Sequence, residues 1–377
     1  MQFLVRLVIT LVVIVVLAVA GLRLWFGDGG TYKDLTTQPA IGEPGLETVL
    51  EHGSPIGAVA VSAAGRIFFA THPDIPVTGP RVFEWRDGEA RPFPAAATQA
   101  NLLDTPAGLV VDRFERLWII DPARHGLGRP RVVAVDLASG LVTHEHVFPR
   151  EVAPRGSFLH DLEVDPAGRM VFIADTSVWR KTPAVVVYDS LTRESRRRLE
   201  GHTAVRAQDW VPGTKVRELR YLAGLVPYKP GLHGLALDPT GRWLYLAAMA
   251  NDTLYRVPAA TLADPAVGDG ELAAAVEPAG VKPLSDGLVA DLAGNVFVTD
   301  VEHGAVLRLD PAGRLQTIVR SPRIRWADSL SFGPGGWLYL SDSALAETLL
   351  QTPGTVDDRA PYRVLRFRPG AVAAQAQ

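Results

Sequence analysis

The sequence predicts an all-β fold, a six-bladed β-propeller preceded by an N-terminal hydrophobic helix. Three observations carry the prediction. One unit recurs six times along the 377 residues, each copy sets two apolar strands around a turn rich in Asp, Pro and Gly, and the N-terminus opens with a long apolar run.

The copies read IGAVAVSAAGRIFFAT from Ile56, PAGLVVDRFERLWIID from Pro106, LHDLEVDPAGRMVFIAD from Leu159, LHGLALDPTGRWLYLAA from Leu232, SDGLVADLAGNVFVTD from Ser285 and ADSLSFGPGGWLYLSD from Ala327. The central turn begins at Ser62, Asp112, Asp165, Asp238, Asp291 and Gly333, so successive copies are 50, 53, 73, 53 and 42 residues apart. Asp accepts hydrogen bonds from the amides ahead of it, Pro presets φ and Gly takes positive φ, which is turn chemistry with a mechanism. Further strands follow, such as RVVAVDL, AVVVYDS, DTLYRVP, AVLRLDP and YRVLRFRP. Short β-branched and aromatic runs repeating roughly every 50 residues are the pattern of propeller blades.

The N-terminal segment MQFLVRLVITLVVIVVLAVAGLRLWFG carries Arg6 and then an apolar run from Leu7 to Leu22 broken only by Thr10. Ala18-Val19-Ala20 before Gly21 suits signal-peptidase cleavage. Residues 7–26 also suit a retained anchor, with Arg23 snorkelling and Trp25 and Phe26 at the interface. Both alternatives imply export to a periplasmic or extracellular location, the second with membrane tethering. The expected organisation is therefore a signal peptide or anchor over 1–30, the propeller over 31–370 and a flexible tail over 371–377. The wide spacing between the third and fourth copies marks an insertion over about 202–231, without strand alternation, expected as a lid or as surface decoration.

Composition narrows the function classes. The formal net charge is −3 and leaves no basic footprint, which argues against nucleic acid as a partner. There is no Cys, so disulfides, thiolate metal sites and cysteine nucleophiles are excluded. No G-x-S-x-G elbow, H-E-x-x-H, Walker or Rossmann motif occurs. Oligomeric state leaves no mark in the sequence.

Candidate site residues follow from the blade register. Immediately before each innermost strand the copies carry Gly57, Ala107, His160, His233, Asp286 and Asp328, which ring one mouth of the channel. Imidazoles suit proton transfer or a transition metal, and carboxylates suit a hard cation such as Ca²⁺. Because the residue type changes around the ring, a ligand or metal site is expected: His160 and His233 as acid/base groups, Asp286 and Asp328 as ligand-orienting or metal-holding groups. Two like-charged neighbours such as Asp286 and Asp328 repel unless a cation or a shared proton intervenes. A second set, Asp121, Asp175, Asp300 and Asp342, ends the next strand of four blades. Its regularity favours a structural role, accepting bonds from strand-end amides. His144-Glu145-His146 is expected at the surface, and Trp85, Trp118, Trp243 and Trp337 in the core. Asn251-Asp252-Thr253 fits a glycosylation sequon that also arises by chance.

SPIGAVAVSAAGRIFFA, AGLVVDRFERLWIID, FLHDLEVDPAGRMVFIADTS, GLALDPTGRWLYLAAM with DTLYRVP, and SDGLVADLAGNVFVTDVEHGAV resemble the yellow / major royal jelly protein family. They are most similar to its bacterial members, often named L-dopachrome tautomerase-related proteins. The resemblance runs from about Gly45 to Arg368. It implies a six-bladed propeller, export, and a pocket at the channel mouth for ligands that include biogenic amines. It also implies a dopachrome-converting activity in some members.

A more distant similarity is to the regucalcin/gluconolactonase propellers, which bind a divalent cation at the inner-strand starts. Ser285-Asp286-Gly287 matches that pattern. Leu232-His233-Gly234 has His where Asn is usual, Gly57 brings no Glu, and Trp326-Ala327-Asp328-Ser329 departs from the yellow-like Pro-Asp-Gly. Three functions follow as expectations: small-molecule binding with isomerisation, metal-dependent lactone hydrolysis, or a non-catalytic scaffold.

Overall fold

Six four-stranded antiparallel sheets follow one another around a central channel. The innermost strands are Ile56–Val61, Leu109–Val111, Leu159–Val164, Leu232–Leu237, Leu288–Ala290 and Ala327–Gly333, one inside each repeat copy. Each touches the innermost strands of both neighbouring blades, and the sixth touches the first, which closes the ring. This computed structural model describes residues 1–370; the tail expected over 371–377 lies outside the described residues.

The turns behave as their chemistry requires. Asp112 Oδ1 accepts from the amides of Phe114 and Arg116, Asp165 Oδ1 from Arg169 and Met170, and Asp291 Oδ1 from Ala293 and Asn295. Ser62 Oγ does the same for Arg66 in the first blade. Each carboxylate thereby satisfies amides that the reversing chain leaves unpaired.

The ring is locked by a strand outside the repeat copies. Glu47–His52 pairs antiparallel with Tyr362–Phe367, so the outermost strand of the sixth blade comes from the N-terminal side of the first. Between blades the core is apolar and dense. Phe172, Val185 and Val187 of the third blade pack on Leu235, Leu244 and Leu246 of the fourth.

Helix α1, Gln2–Phe26, has a mean hydropathy of 3.0 and is long and apolar enough to cross a membrane. Its apolar side chains from Phe3 to Leu17 are exposed, and only its foot touches the propeller. There Phe26 and Leu22 join a cluster with Val178, Tyr221, Val226 and Tyr228. The insertion is not free of strands: Arg220–Tyr221 and Val226–Pro227 form a hairpin. Two residues per strand are too few for alternation to show. Its Leu219, Tyr221, Val226 and Tyr228 pack with Trp326, Leu345 and Leu349, so the insertion lies across one end of the channel.

Candidate functional site

The ring residues are set by a shared backbone irregularity. Pairing with the second strand slips between Ile56 and Ala58, between Leu159 and Leu162, between Leu232 and Gly234, and between Ala327 and Leu330. Gly57, His160, His233 and Asp328 therefore sit in β-bulges, where an unpaired residue is re-aimed out of the pleat. The glycine that follows has its own reason. A Cβ at Gly234 would lie 2.3 Å from the Asp286 carbonyl oxygen, and one at Gly287 would lie 2.5 Å from that of Asp328. Only glycine lets successive blades approach this closely at the mouth.

Four predicted site residues meet there, all buried. His160 and His233 lie with ring centroids 3.7 Å apart, and His233 Nδ1 stands 2.7 Å from Asp286 Oδ1, off the axis of a well-aligned hydrogen bond. Trp326 Nε1 donates to the other oxygen, Asp286 Oδ2, at 2.9 Å. Asp328 is on the next blade, and neither of its oxygens has a well-formed hydrogen-bond partner among the described residues; His72 Nε2 is 3.8 Å away. The channel cavity they line measures about 70 Å³. Sites for drug-sized molecules run to roughly 300 Å³ and more, so this cavity, lined by the inner strands alone, suits a smaller ligand or only part of a larger one.

Their environments drive the protonation states apart. Burial pushes His160 down to about 3, helped by the neighbouring His233, so this imidazole is neutral. Burial also raises Asp328 well above the carboxylate range, and the charge of Asp286 adds to the effect. Burial opposes ionisation of Asp286 too, but His233 and the Trp326 indole hold it below its ordinary value. Burial and neighbours thus favour the ionised form of Asp286 and the protonated form of Asp328, which relieves their mutual repulsion.

The strand-end acids have a different character. Asp121 accepts from the amides of Asp104, Thr105 and Ala123. Asp175 accepts from Phe158 and pairs with Arg197, Asp300 accepts from Glu302 and His303, and Asp342 accepts from Arg325 and Trp326. All four are fully buried and accept from backbone amides, and Asp175, Asp300 and Asp342 also meet Arg197, His303 and Arg325. Asn251 is 3% exposed and donates to the carbonyls of Thr203 and Arg206, so its sequon offers no glycosylation site. His144 and His146 are half-buried rather than at the surface, packed against Tyr188 of the third blade. Of the four tryptophans expected in the core, Trp118 is fully buried, and Trp85, Trp243 and Trp337 are partly so.

Residues 105–330 match the family model of the major royal jelly proteins. The chain belongs to the major royal jelly protein family. It is 24% identical over 168 residues to major royal jelly protein 3 of Apis mellifera, covering 42% of this chain and 29% of that one. It is 28% identical over 160 residues to major royal jelly protein 5 of the same organism, covering 40% and 25%. The matched stretch thus spans under a third of those relatives' length. Solved propellers share the fold at low identity. A luciferin-regenerating enzyme has a TM-score of 0.59 at 10% identity, covering 88% of this chain and 97% of that one. A gluconolactonase from Xanthomonas campestris has 0.54 at 16%, covering 85% and 89%. The calcium-binding protein regucalcin from Agrobacterium tumefaciens has 0.53 at 14%, covering 87% and 96%.

In this family member the mouth holds more than its six ring positions. His72 follows the second strand of the first blade and fills the place next to Gly57. A histidine directly after the strand whose partner carries a bare glycine was the available signal. His125, in the left-handed region at φ 54°, stacks on Phe158 at 4.1 Å and sets Nε2 2.7 Å from Asp74 Oδ1. Asp74 and His125 come from the corresponding loops after the second strands of the first and second blades, at positions that the repeat does not align, so it offers no cue to them. Asp161 Oδ2 accepts from the Leu235 amide on the neighbouring inner strand, as Ser329 Oγ does for Val59.

A divalent cation has a donor set to test. His160, His233 and Asp286 each offer one atom within 4.8 Å of the others. Two imidazoles and one carboxylate suit a borderline transition metal better than Ca²⁺, which takes six to eight oxygens. Asp328 stands outside that group.

Proposed function

We propose that this protein is an exported propeller, held at a membrane by α1, that binds a small polar or aromatic molecule at the channel mouth and isomerises it by proton transfer. The reading is of the dopachrome-tautomerase kind. The observation that carries it is the buried His233–Asp286 pair beside Asp328, a buried carboxyl that desolvation holds well above its ordinary range. Titratable neighbours whose environments push them apart divide into base and acid. Asp286 orients the His233 ring through Nδ1 and steadies the imidazolium, leaving Nε2 to take a proton from the substrate. Asp328 returns a proton at a second position, so the substrate is isomerised with no net gain or loss, and solvent entering after product release takes the proton from the His233 imidazolium and gives one back to Asp328. His160, neutral and tilted against the His233 ring, serves as a hydrogen-bonding wall rather than the base. Export rests on α1, whose exposed apolar surface has no protein covering it among the described residues.

Dopachrome turnover by the purified protein, followed by absorbance, tests the reading. His233→Gln and Asp328→Asn should each lower kcat/KM by roughly 10²–10⁴-fold, the usual worth of a positioned acid or base. Unchanged turnover in both variants would sink it.

A second reading is a metal-dependent lactone hydrolase, favoured by the convergence of His160, His233 and Asp286. A cation held there would polarise a carbonyl and activate water. Metal analysis before and after chelation separates the two: isomerisation that survives chelation with no bound metal removes the hydrolase. A scaffold working only through its rim has no need of buried acids and imidazoles at the mouth.

A further inference from the structure

The propeller carries a second cavity, at the foot of α1 and outside the channel. It measures about 250 Å³, and its wall includes Thr176, Lys181, Arg206, Asp209 and Lys229. We propose that this basic cavity binds the phosphate of an anionic lipid headgroup, clamping the mouth-bearing face of the propeller to the membrane that α1 enters.

Position comes first. A 25-residue helix is about 38 Å long at ~1.5 Å per residue, against roughly 30 Å of bilayer hydrocarbon. Its last turn, with Arg23, Trp25 and Phe26, then lies in the headgroup layer. Lys181 ties the cavity to that turn: Nζ donates to the Trp25 carbonyl and sits 5.3 and 5.0 Å from the centroids of the Trp25 and Phe26 rings.

Charge comes second. Lys229 pairs with Asp209 at 2.6 Å, but Lys181 and Arg206 form no salt bridge among the described residues. The wall therefore holds three cations against one carboxylate, an excess that a phosphate neutralises. Lys181 feels the crowding, since burial and then the charges of Lys229 and Arg206 lower its pKa. Arg206 offers the planar fork suited to phosphate oxygens.

A third observation is independent of charge. Thr176 is 1% exposed, lines this cavity, and its Oγ1 has no hydrogen-bond partner among the described residues. A buried hydroxyl without a partner is uncommon, and a phosphate oxygen would satisfy it. Its neighbour Ser177, at φ 47°, bends the chain around the same cavity.

The proposal rests on α1 being retained, and the intact mass of the membrane-purified protein checks that separately. The test itself uses the full chain in detergent micelles, with native mass spectrometry after titration of phosphatidylglycerol or phosphatidylcholine. Phosphatidylglycerol should be retained in preference. Arg206→Gln and Lys229→Gln should each weaken its retention roughly five-fold, as expected for about one basic residue's attraction. Thr176→Val, nearly isosteric, should weaken it with the fold intact. Equal retention of both lipids, or variants that bind as the parent does, would overturn the proposal. Inorganic phosphate distinguishes the source: if it binds while phosphatidylglycerol does not, the cavity takes a soluble phosphate and the lipid assignment falls.

Discussion

His72 stands where Gly57 leaves the ring bare: a methyl group added at Gly57 would lie 2.9 Å from the His72 Cα. The first blade thus contributes its polar group from the second strand instead of the first, and the ring of functional side chains extends to the blade beside Asp328. Gly57→Ala should push His72 away from Asp328 and strain the bulge against the His72 backbone. Overpacking of this kind costs roughly 1–3 kcal/mol. A fall in Tm together with impaired turnover is the expected result; an unchanged Tm would mean that His72 has room to move.

His146, stacked on Tyr188 at 4.3 Å, is pushed down to about 4 by burial and by the nearby Arg193 and His144. Its folded value lies below the ordinary 6.5, so the unfolded chain takes up the proton first as pH falls. The stability it contributes is complete above pH ~6.5 and is lost on the way down to about 4. His146→Gln should flatten the fall in urea midpoint across that window relative to the parent. A slope unchanged by the substitution would show that His146 is not neutral and buried as found.

The repeat made the architecture legible because each blade is a local unit. Two strands and a turn within about 16 residues announce themselves, and aligning the copies picks out the ring positions, though not the bulges that aim them. His160, His233, Asp286 and Asp328 were found this way, and they do converge. Long-range features had no such signal. The closing strand Glu47–His52 pairs with Tyr362–Phe367, and nothing local in either marks the partner. The covering insertion depends on Tyr221 and Tyr228 packing with Trp326 and Leu349, a tertiary event that composition alone leaves open. Protonation was also out of reach. An imidazole suggests titration near neutrality, yet burial takes His160 down to about 3.

Asp328 tests the electrostatics directly. Burial, and then the charge of Asp286, hold it protonated, so the folded state binds a proton that the unfolded chain gives up. For a carboxyl group raised in the fold, stability is complete below the unfolded value near 4 and declines as pH rises toward the folded value. Asp328→Asn removes that decline. It should raise Tm more at pH 8 than at pH 5. Equal shifts at both would mean that Asp328 is ionised in the fold, and a bound cation would then be the natural reason.

Asp121 and Asp286 separate structure from function. Both are buried acids at the same end of the propeller, but Asp121 spends its oxygens on three backbone amides, whereas Asp286 meets a histidine and an indole. Asp121→Ala leaves those three amides unsatisfied, each worth about 1–3 kcal/mol when buried, so a large loss of Tm is expected. Below its lowered melting point the variant should still turn over dopachrome like the parent. Asp286→Asn should do the reverse: it keeps an oxygen for Trp326 Nε1 but loses the charge that steadies the His233 imidazolium. Turnover should drop by roughly 10²-fold or more while Tm moves less than in Asp121→Ala. If well-folded Asp121→Ala protein loses turnover as severely as Asp286→Asn, the strand-end acids belong to the site after all, and the division between the two sets is wrong.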